Sequence, residues 1–129
     1  MNELKYQGIT EKIIGCAFEV HTVLGNGFQE VIYQRALALE FQSEGVLFDR
    51  ETEIDIFYKD HEKPIGARRA DFLVEKKVLV ELKALPDLEG VHFAQIRSYL
   101  KAYRLEVGLL INFGRKSMQF KRVVLTDHE

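Results

Sequence analysis

Residues 78–84 read Val-Leu-Val-Glu-Leu-Lys-Ala, an apolar strand with one glutamate and one lysine set into it. No stretch constrains the fold more. A strand this apolar belongs inside a sheet, and a buried charge is costly unless something compensates it. Side chains at i and i+2 of a strand share a face. Glu81 and Lys83 therefore point one way, while Val78, Val80 and Leu82 face the other. Whatever the fold, it must bury the aliphatic face and give the Glu/Lys face a use.

The flanking sequence supplies the sheet and its covering helices. Ile9, Ile13, Cys16 or Ala17, Val20 and Leu24 recur at helical spacing, with Thr10 as a candidate cap and Gly25-Asn26-Gly27 as the stop. A second helix is predicted from about Gln29 to Ser43, with Val31, Ala38, Leu39 and Phe41 among its apolar residues and Gly45 ending it. The period then changes. Glu53–Tyr58 alternates as a half-buried strand, Lys59–Pro64 is a polar turn, and a second strand runs through Ala70–Val74. Glu75-Lys76-Lys77 is a charged hairpin turn before the third strand. Pro86–Gly90 is a loop, and His92 to about Arg104 a helix; Glu106–Asn112 and Met118–Leu125 are the last strands. The order ααβββαββ implies an α/β fold with a central sheet of mixed direction flanked by helices.

A length of 129 residues fits one domain, and 47% hydrophobic with 29% charged residues excludes a disordered chain. The net charge of −2 is unevenly spread. Val91–Thr126 carries seven basic residues (Arg97, Lys101, Arg104, Arg115, Lys116, Lys121, Arg122) against Glu106 alone, whereas the first 90 residues are acidic. The basic third can present a positive face to phosphates or be an ordinary solvated surface. Cys16 is the lone cysteine, which excludes an internal disulfide and a thiolate metal cluster; inside a helical apolar pattern it reads as a buried, inert thiol. His61, His92 and His128 have no metal-ligand spacing with each other or with Cys16, so no zinc site is expected. No apolar run approaches the roughly 18 residues of a membrane span, and Met1–Gly8 lacks a signal peptide's apolar core. A cytoplasmic protein, not associated with a membrane, is expected.

The chemistry-bearing residues cluster around the third strand. If the hairpin turns near Lys76, Asp71 pairs beside Glu81, and two carboxylates and an ammonium converge at one place on the sheet. Two hard-oxygen ligands can hold Mg²⁺, and a neighbouring lysine can orient water and stabilise charge developing on phosphorus. The alternative is a structural charge cluster on a solvated face. The following helix places Gln95 and Tyr99 at i,i+4 on one face, Phe93, Ile96, Leu100 and Tyr103 along an apolar stripe, and Arg97, Lys101 and Arg104 along a basic one.

Asp71, Glu81-Leu82-Lys83 and Gln95-x-x-x-Tyr99 resemble the PD-(D/E)XK nuclease superfamily. Gly27-Phe-Gln-Glu30-Val-Ile-Tyr33 is similar to the Gly-x-x-Glu-x-x-Tyr motif of one branch, the GxxExxY protein family. Val20-His21, Arg69-Ala-Asp71, Val80–Ala84 and Gly108–Gly114 match it too. One departure is visible, since Ala70 stands where the superfamily name has proline. The resemblance implies a restriction-endonuclease-like fold over residues 1–129 and a Mg²⁺- or Mn²⁺-dependent nuclease acting on DNA. It implies Asp71, Glu81 and Glu30 as metal ligands, Lys83 as the catalytic lysine, and Gln95 and Tyr99 as residues shaping the site.

Arg97 and Lys101 are candidate substrate contacts. Arg69 can bind phosphate or neutralise the carboxylates, with Arg68 pointing away. His21 either touches the site or is packed, and Tyr33 either bonds within the site or packs with its hydroxyl satisfied. The chain carries no evident sequence-reading element, so sequence-specific cleavage would need a homodimer or a protein partner. The rival expectation is a non-catalytic nuclease-fold module that binds nucleic acid or a protein.

Overall fold

The computed structural model describes residues 5–125, so Thr126 of the charge argument and His128 of the zinc argument lie outside the described residues. Along the chain run α1 (Gln7–Leu24), α2 (Glu30–Ser43), β1 (Phe48–Ile56), β2 (Gly66–Val74), β3 (Val78–Lys83), α3 (Gly90–Tyr103), β4 (Val107–Asn112) and β5 (Gln119–Val124). The expected order ααβββαββ is the observed one. Four local readings change. Strand β1 spans Phe48–Ile56, where the alternation predicts Glu53–Tyr58. Thr10 does not cap α1: the helix starts at Gln7, and the buried Thr10 hydroxyl donates to the Gln7 carbonyl at 3.1 Å. In α2, Val31 and Leu39 are exposed, and the buried face is Tyr33, Gln34, Leu37, Ala38 and Phe41. Helix α3 starts two residues earlier than expected, because the Glu89 N–H donates to His92 Nδ1 in a capping box that supports the first turn.

The strands lie in the order β1-β2-β3-β4-β5. Strand β3 pairs antiparallel to β2 and parallel to β4, with α3 as the crossover between the parallel pair; β1 and β5 add antiparallel edges. Both faces of the sheet are covered, which is why β3 and β4 read as nearly continuous apolar runs. On one face, Val78, Val80 and Leu82 pack with Val107, Leu109 and Ile111 under α1 and α2. On the other, Leu79 and Leu110 pack with Ile96, Leu100 and Tyr103 of α3. The β2–β3 turn centres on Glu75 and Lys76, both at positive φ, and Lys77 N donates to the Val74 carbonyl at 3.0 Å. This turn sets the register: Val74 opposes Val78, and Phe72 opposes Val80. Among the described residues no helix is long and apolar enough to cross a membrane.

Past the C-terminal ends of β3 and β4 the chain is tied down by one buried amide. Asn112 is fully buried; its Oδ1 accepts from Leu85 N and Gly114 N, and its Nδ2 donates to the Leu85 carbonyl and to Gln119 Oε1. Gln119 in turn accepts from Leu88 N and donates to Asp87. The loop from β3 to α3 is thereby fixed, and with it the direction in which α3 starts. Gly114 is needed because a Cβ there would lie 2.3 Å from Leu85 N. Asn112→Ala strips partners from buried backbone groups and is expected to cost about 2–4 kcal/mol, measured by chemical denaturation. Gly114→Ala should be at least as damaging.

Candidate functional site

The ladder between β2 and β3 is short. It holds from Val74–Val78 to Phe72–Val80 and ends there, although the register would next bring Asp71 opposite Glu81. At this point β2 leaves β3, and two side chains take over the lost backbone bonding. The Glu81 Oε2 accepts from Asp71 N at 3.1 Å, and the Asp71 Oδ2 accepts from Leu82 N at 2.8 Å. Each carboxylate thus satisfies a backbone donor that the parting of the strands would leave bare.

Alternation also breaks here. Ala70 packs in the α3-side core and Phe72 in the α1/α2-side core, though residues two apart normally share a face. On β1, Glu51 lies opposite this break at φ 49°, a left-handed conformation unusual for a glutamate. The two carboxylates therefore reach the gap from opposite sides of the sheet. Asp71 Oδ1 accepts from Gln34 Nε2 of α2 at 2.8 Å. Glu81 Oε1 faces the α3 side and pairs with Arg68 Nη2 at 2.7 Å. Lys83, on the same face of β3 as Glu81, reaches Gln95 Oε1 of α3 at 3.4 Å. Glu30, Val31, Gln34, Glu51 and Asp71 line a cleft of about 220 Å³ beside the gap.

Electrostatics mark the same place. Burial raises the Glu81 carboxyl above its ordinary value; Asp71 pushes the same way, while Arg68 and the Asp71 N–H oppose. Glu30 keeps an exposed edge, yet partial burial and the charges of Asp71 and Glu81 raise it too, with Lys83 opposing. Burial works against charge on Arg68, but the Tyr103 hydroxyl and Glu81 outweigh it and hold the guanidinium firmly protonated. Cys16 is buried between the helices, and burial raises its thiol, as an inert cysteine requires.

Asp71, Glu81 and Lys83 are thus neighbours, with Gln95 against the lysine and Glu30 near enough to feel all three charges. The set Asp71, Glu81 and Glu30 is not a closed cage: among the described residues no three Asp, Glu, His or Cys side chains are grouped as ready metal ligands. Tyr99 touches no carboxylate directly in the contacts described; its ring carries the Arg68 guanidinium at 3.8 Å. Tyr33 takes the packed alternative, with its hydroxyl satisfied. It is fully buried, stacked on Phe113 at 4.6 Å, and its hydroxyl donates to the Gly25 carbonyl and accepts from Phe28 N, pinning the α1–α2 loop. His21 Nε2 lies 2.8 Å from the Arg115 carbonyl and its ring is tilted against Phe113, so it braces the β4–β5 loop.

Arg68, expected to point away, is the arginine that pairs with a carboxylate. Arg69 is exposed, and Arg68 neutralises Glu81, because the face switch at Asp71 puts Arg68 on the Glu81 side. Arg97 lies two residues from Gln95, off its helix face, and Lys101 lines a separate depression with Phe57, Ser98 and Arg104. Sequence reading missed Gln34, Glu51 and Arg68. Gln34 had one signal, a position four residues after Glu30 and so on its helix face.

The model of the PD-(D/E)XK nuclease superfamily matches residues 7–123 of the chain. Among solved structures, the crystal structure of SSO0001 is similar at a TM-score of 0.53 and 18% identity, over 75% of this chain and 51% of that one. The chain spans about half the length of that protein, and the likeness is one of fold. No curated protein matches the chain. Because Glu30 sits among like charges, Glu30→Gln is expected to raise the melting temperature in chelator at neutral pH by a few degrees. A raised carboxyl binds protons more tightly folded than unfolded, so wild-type stability should fall as pH rises through the range above the ordinary carboxylate value. The variant should show a flatter profile in thermal unfolding measured from pH 4.5 to 8.

Proposed function

Since the chain belongs to the PD-(D/E)XK nuclease superfamily, we propose that it is a divalent-metal-dependent nuclease that hydrolyses phosphodiester bonds in DNA, of the GxxExxY branch. The observation that carries this is that the Asp71 and Glu81 carboxylates each accept a backbone N–H across the parted strands, with Lys83 two residues further along β3. The donor chemistry suits a hard cation: two carboxylates at the parted strands, a third nearby, and burial that, with the neighbouring negative charge, raises Glu30 and Glu81. Asp71 and Glu81 would hold Mg²⁺ or Mn²⁺, and Glu30 would approach from α2. Once bound, such an ion polarises a phosphate oxygen and lowers the pKa of a coordinated water.

The protein's own residues would do the rest. Gln34 fixes the Asp71 carboxylate by one oxygen, leaving it preorganised. Gln95 steadies the Lys83 ammonium, which would orient the attacking water and stabilise charge developing on phosphorus. A polyanionic substrate is supported by Arg115 and Lys116, exposed in the loop that follows Asn112, the β4 partner of Lys83.

A second reading, a nuclease-fold module that binds nucleic acid or a protein without cutting it, draws on the open ligand set and on the Arg68–Glu81 ion pair. Cleavage of single-stranded, duplex, flapped and RNA substrates with Mg²⁺ or Mn²⁺ decides between them. Metal-dependent cleavage of DNA is expected, with Lys83→Ala reducing the rate by about 10²–10⁴-fold; equal cleavage by the variant would assign the activity to a contaminant. Calorimetry on Asp71→Ala should show the metal-binding heat lost. Mg²⁺ should also raise the wild-type melting temperature through linkage, and Glu81→Gln should blunt that rise.

A further inference from the structure

Glu81 is 6% accessible along its side chain, and each of its two oxygens has a partner within the chain. A buried carboxylate in this position needs a counterion. Arg68 supplies it, and Arg68 is itself held by more than that one bond. Its guanidinium lies 3.8 Å over the Tyr99 ring, and its Nη1 donates to the Tyr103 hydroxyl at 3.0 Å. The two tyrosines, four residues apart on α3, stack at 5.8 Å into a continuous shelf. Guanidinium stacks well on an aromatic face while keeping its edge donors available. The cation therefore has a seat that does not depend on Glu81.

We propose that Arg68 is the internal counterion of the site: it holds Glu81 in place of a divalent cation, competes with that cation for the carboxylate, and stays on the Tyr99–Tyr103 shelf when Glu81 turns to the metal. This rests on the reading of Asp71 and Glu81 as metal ligands. Arg68 is a positioning residue that acts through Glu81. Three features support competition. The ion pair is short, at 2.7 Å, and uses the Glu81 oxygen that the Asp71 N–H leaves open. Removing Arg68 leaves a buried negative charge next to Asp71, which a metal ion can then neutralise. The shelf keeps the displaced guanidinium on the α3 side, so handover of Glu81 requires no movement of the backbone.

The experiment compares Mn²⁺ binding by calorimetry, with thermal unfolding in chelator and in Mn²⁺, for the wild type and for Arg68→Gln. The variant should melt lower in chelator, gain more from Mn²⁺, and bind Mn²⁺ on the order of tenfold more tightly, the scale of one close charge interaction. Arg68→Lys, which keeps the charge, should stay much nearer the wild type. In a Glu81→Gln background, Arg68→Gln should change Mn²⁺ affinity little, since the contested carboxylate is gone. Should Arg68→Gln fail to fold in chelator, Mn²⁺ is expected to restore cooperative unfolding. Absence of that rescue, or equal or weaker Mn²⁺ binding by a folded variant while the wild type binds, overturns the counterion role and leaves the nuclease reading standing. No Mn²⁺ binding by either protein overturns both.

Discussion

Everything distinctive in this molecule depends on β2 leaving β3 at Asp71. A sheet that simply continued its ladder would pair Asp71 with Glu81 through the backbone and leave both side chains to find partners elsewhere. Here the ladder stops at Phe72–Val80, and the carboxylates become the bonding groups. A buried N–H without an acceptor is costly, so the parting is stable only because acceptors lie at both sides of it. The same carboxylates are the groups a hard cation would seek. Structural need and candidate chemistry fall on the same atoms, which explains why a strand otherwise built of Val and Leu carries a glutamate at its centre.

The parting sets the charge arrangement as well. Strands that separate and switch faces let Asp71 turn toward α2 and Glu81 toward α3, so each helix contributes a polar partner from its own side. Helix α3 serves twice with one face. Gln95 steadies Lys83, and Tyr99, one turn further on, carries Arg68. The Gln-x-x-x-Tyr spacing thus matches two cations, one on β3 and one on β2, and both bear on Glu81's side of the sheet. This gives a physical reason for the spacing that does not require either side chain to touch a substrate.

Much of this was legible beforehand, for reasons that can be named. Alternation within Val78–Lys83 separated the aliphatic face from the charged one, and a tight turn near Lys76 made the Asp71–Glu81 register a matter of counting. What escaped was whatever depended on the break itself. Period-2 reasoning assumes that a strand keeps its faces, so it sent Arg68 away from the carboxylates. Leu39 and Val31 count among the apolar residues of α2, but the helix packs through Tyr33, Leu37 and Phe41, and that face excludes them. Tyr33 was ambiguous for a related reason: a hydroxyl that turns back onto Gly25 and Phe28 is not visible as such in a helical pattern.

The far side of the site shows how closely the fold and the proposed chemistry are joined. Lys83 ends β3 opposite Asn112, and the Lys83 carbonyl accepts from Phe113 N at 2.9 Å. Phe113 stacks on Tyr33, whose hydroxyl closes the loop that begins α2 and so sets where Glu30 stands. Asn112 meanwhile fixes Leu85, and through the Asp87–Leu88 contacts of Gln119 the start of α3, which carries Gln95. The lysine, the third carboxylate and the glutamine are therefore located by one buried cluster around Asn112 and Phe113 rather than by separate elements. A change in that cluster would move several of the polar groups together, so a loss of metal binding from a mutation there would report on geometry, whereas the same loss at Asp71 or Glu81 would report on ligation.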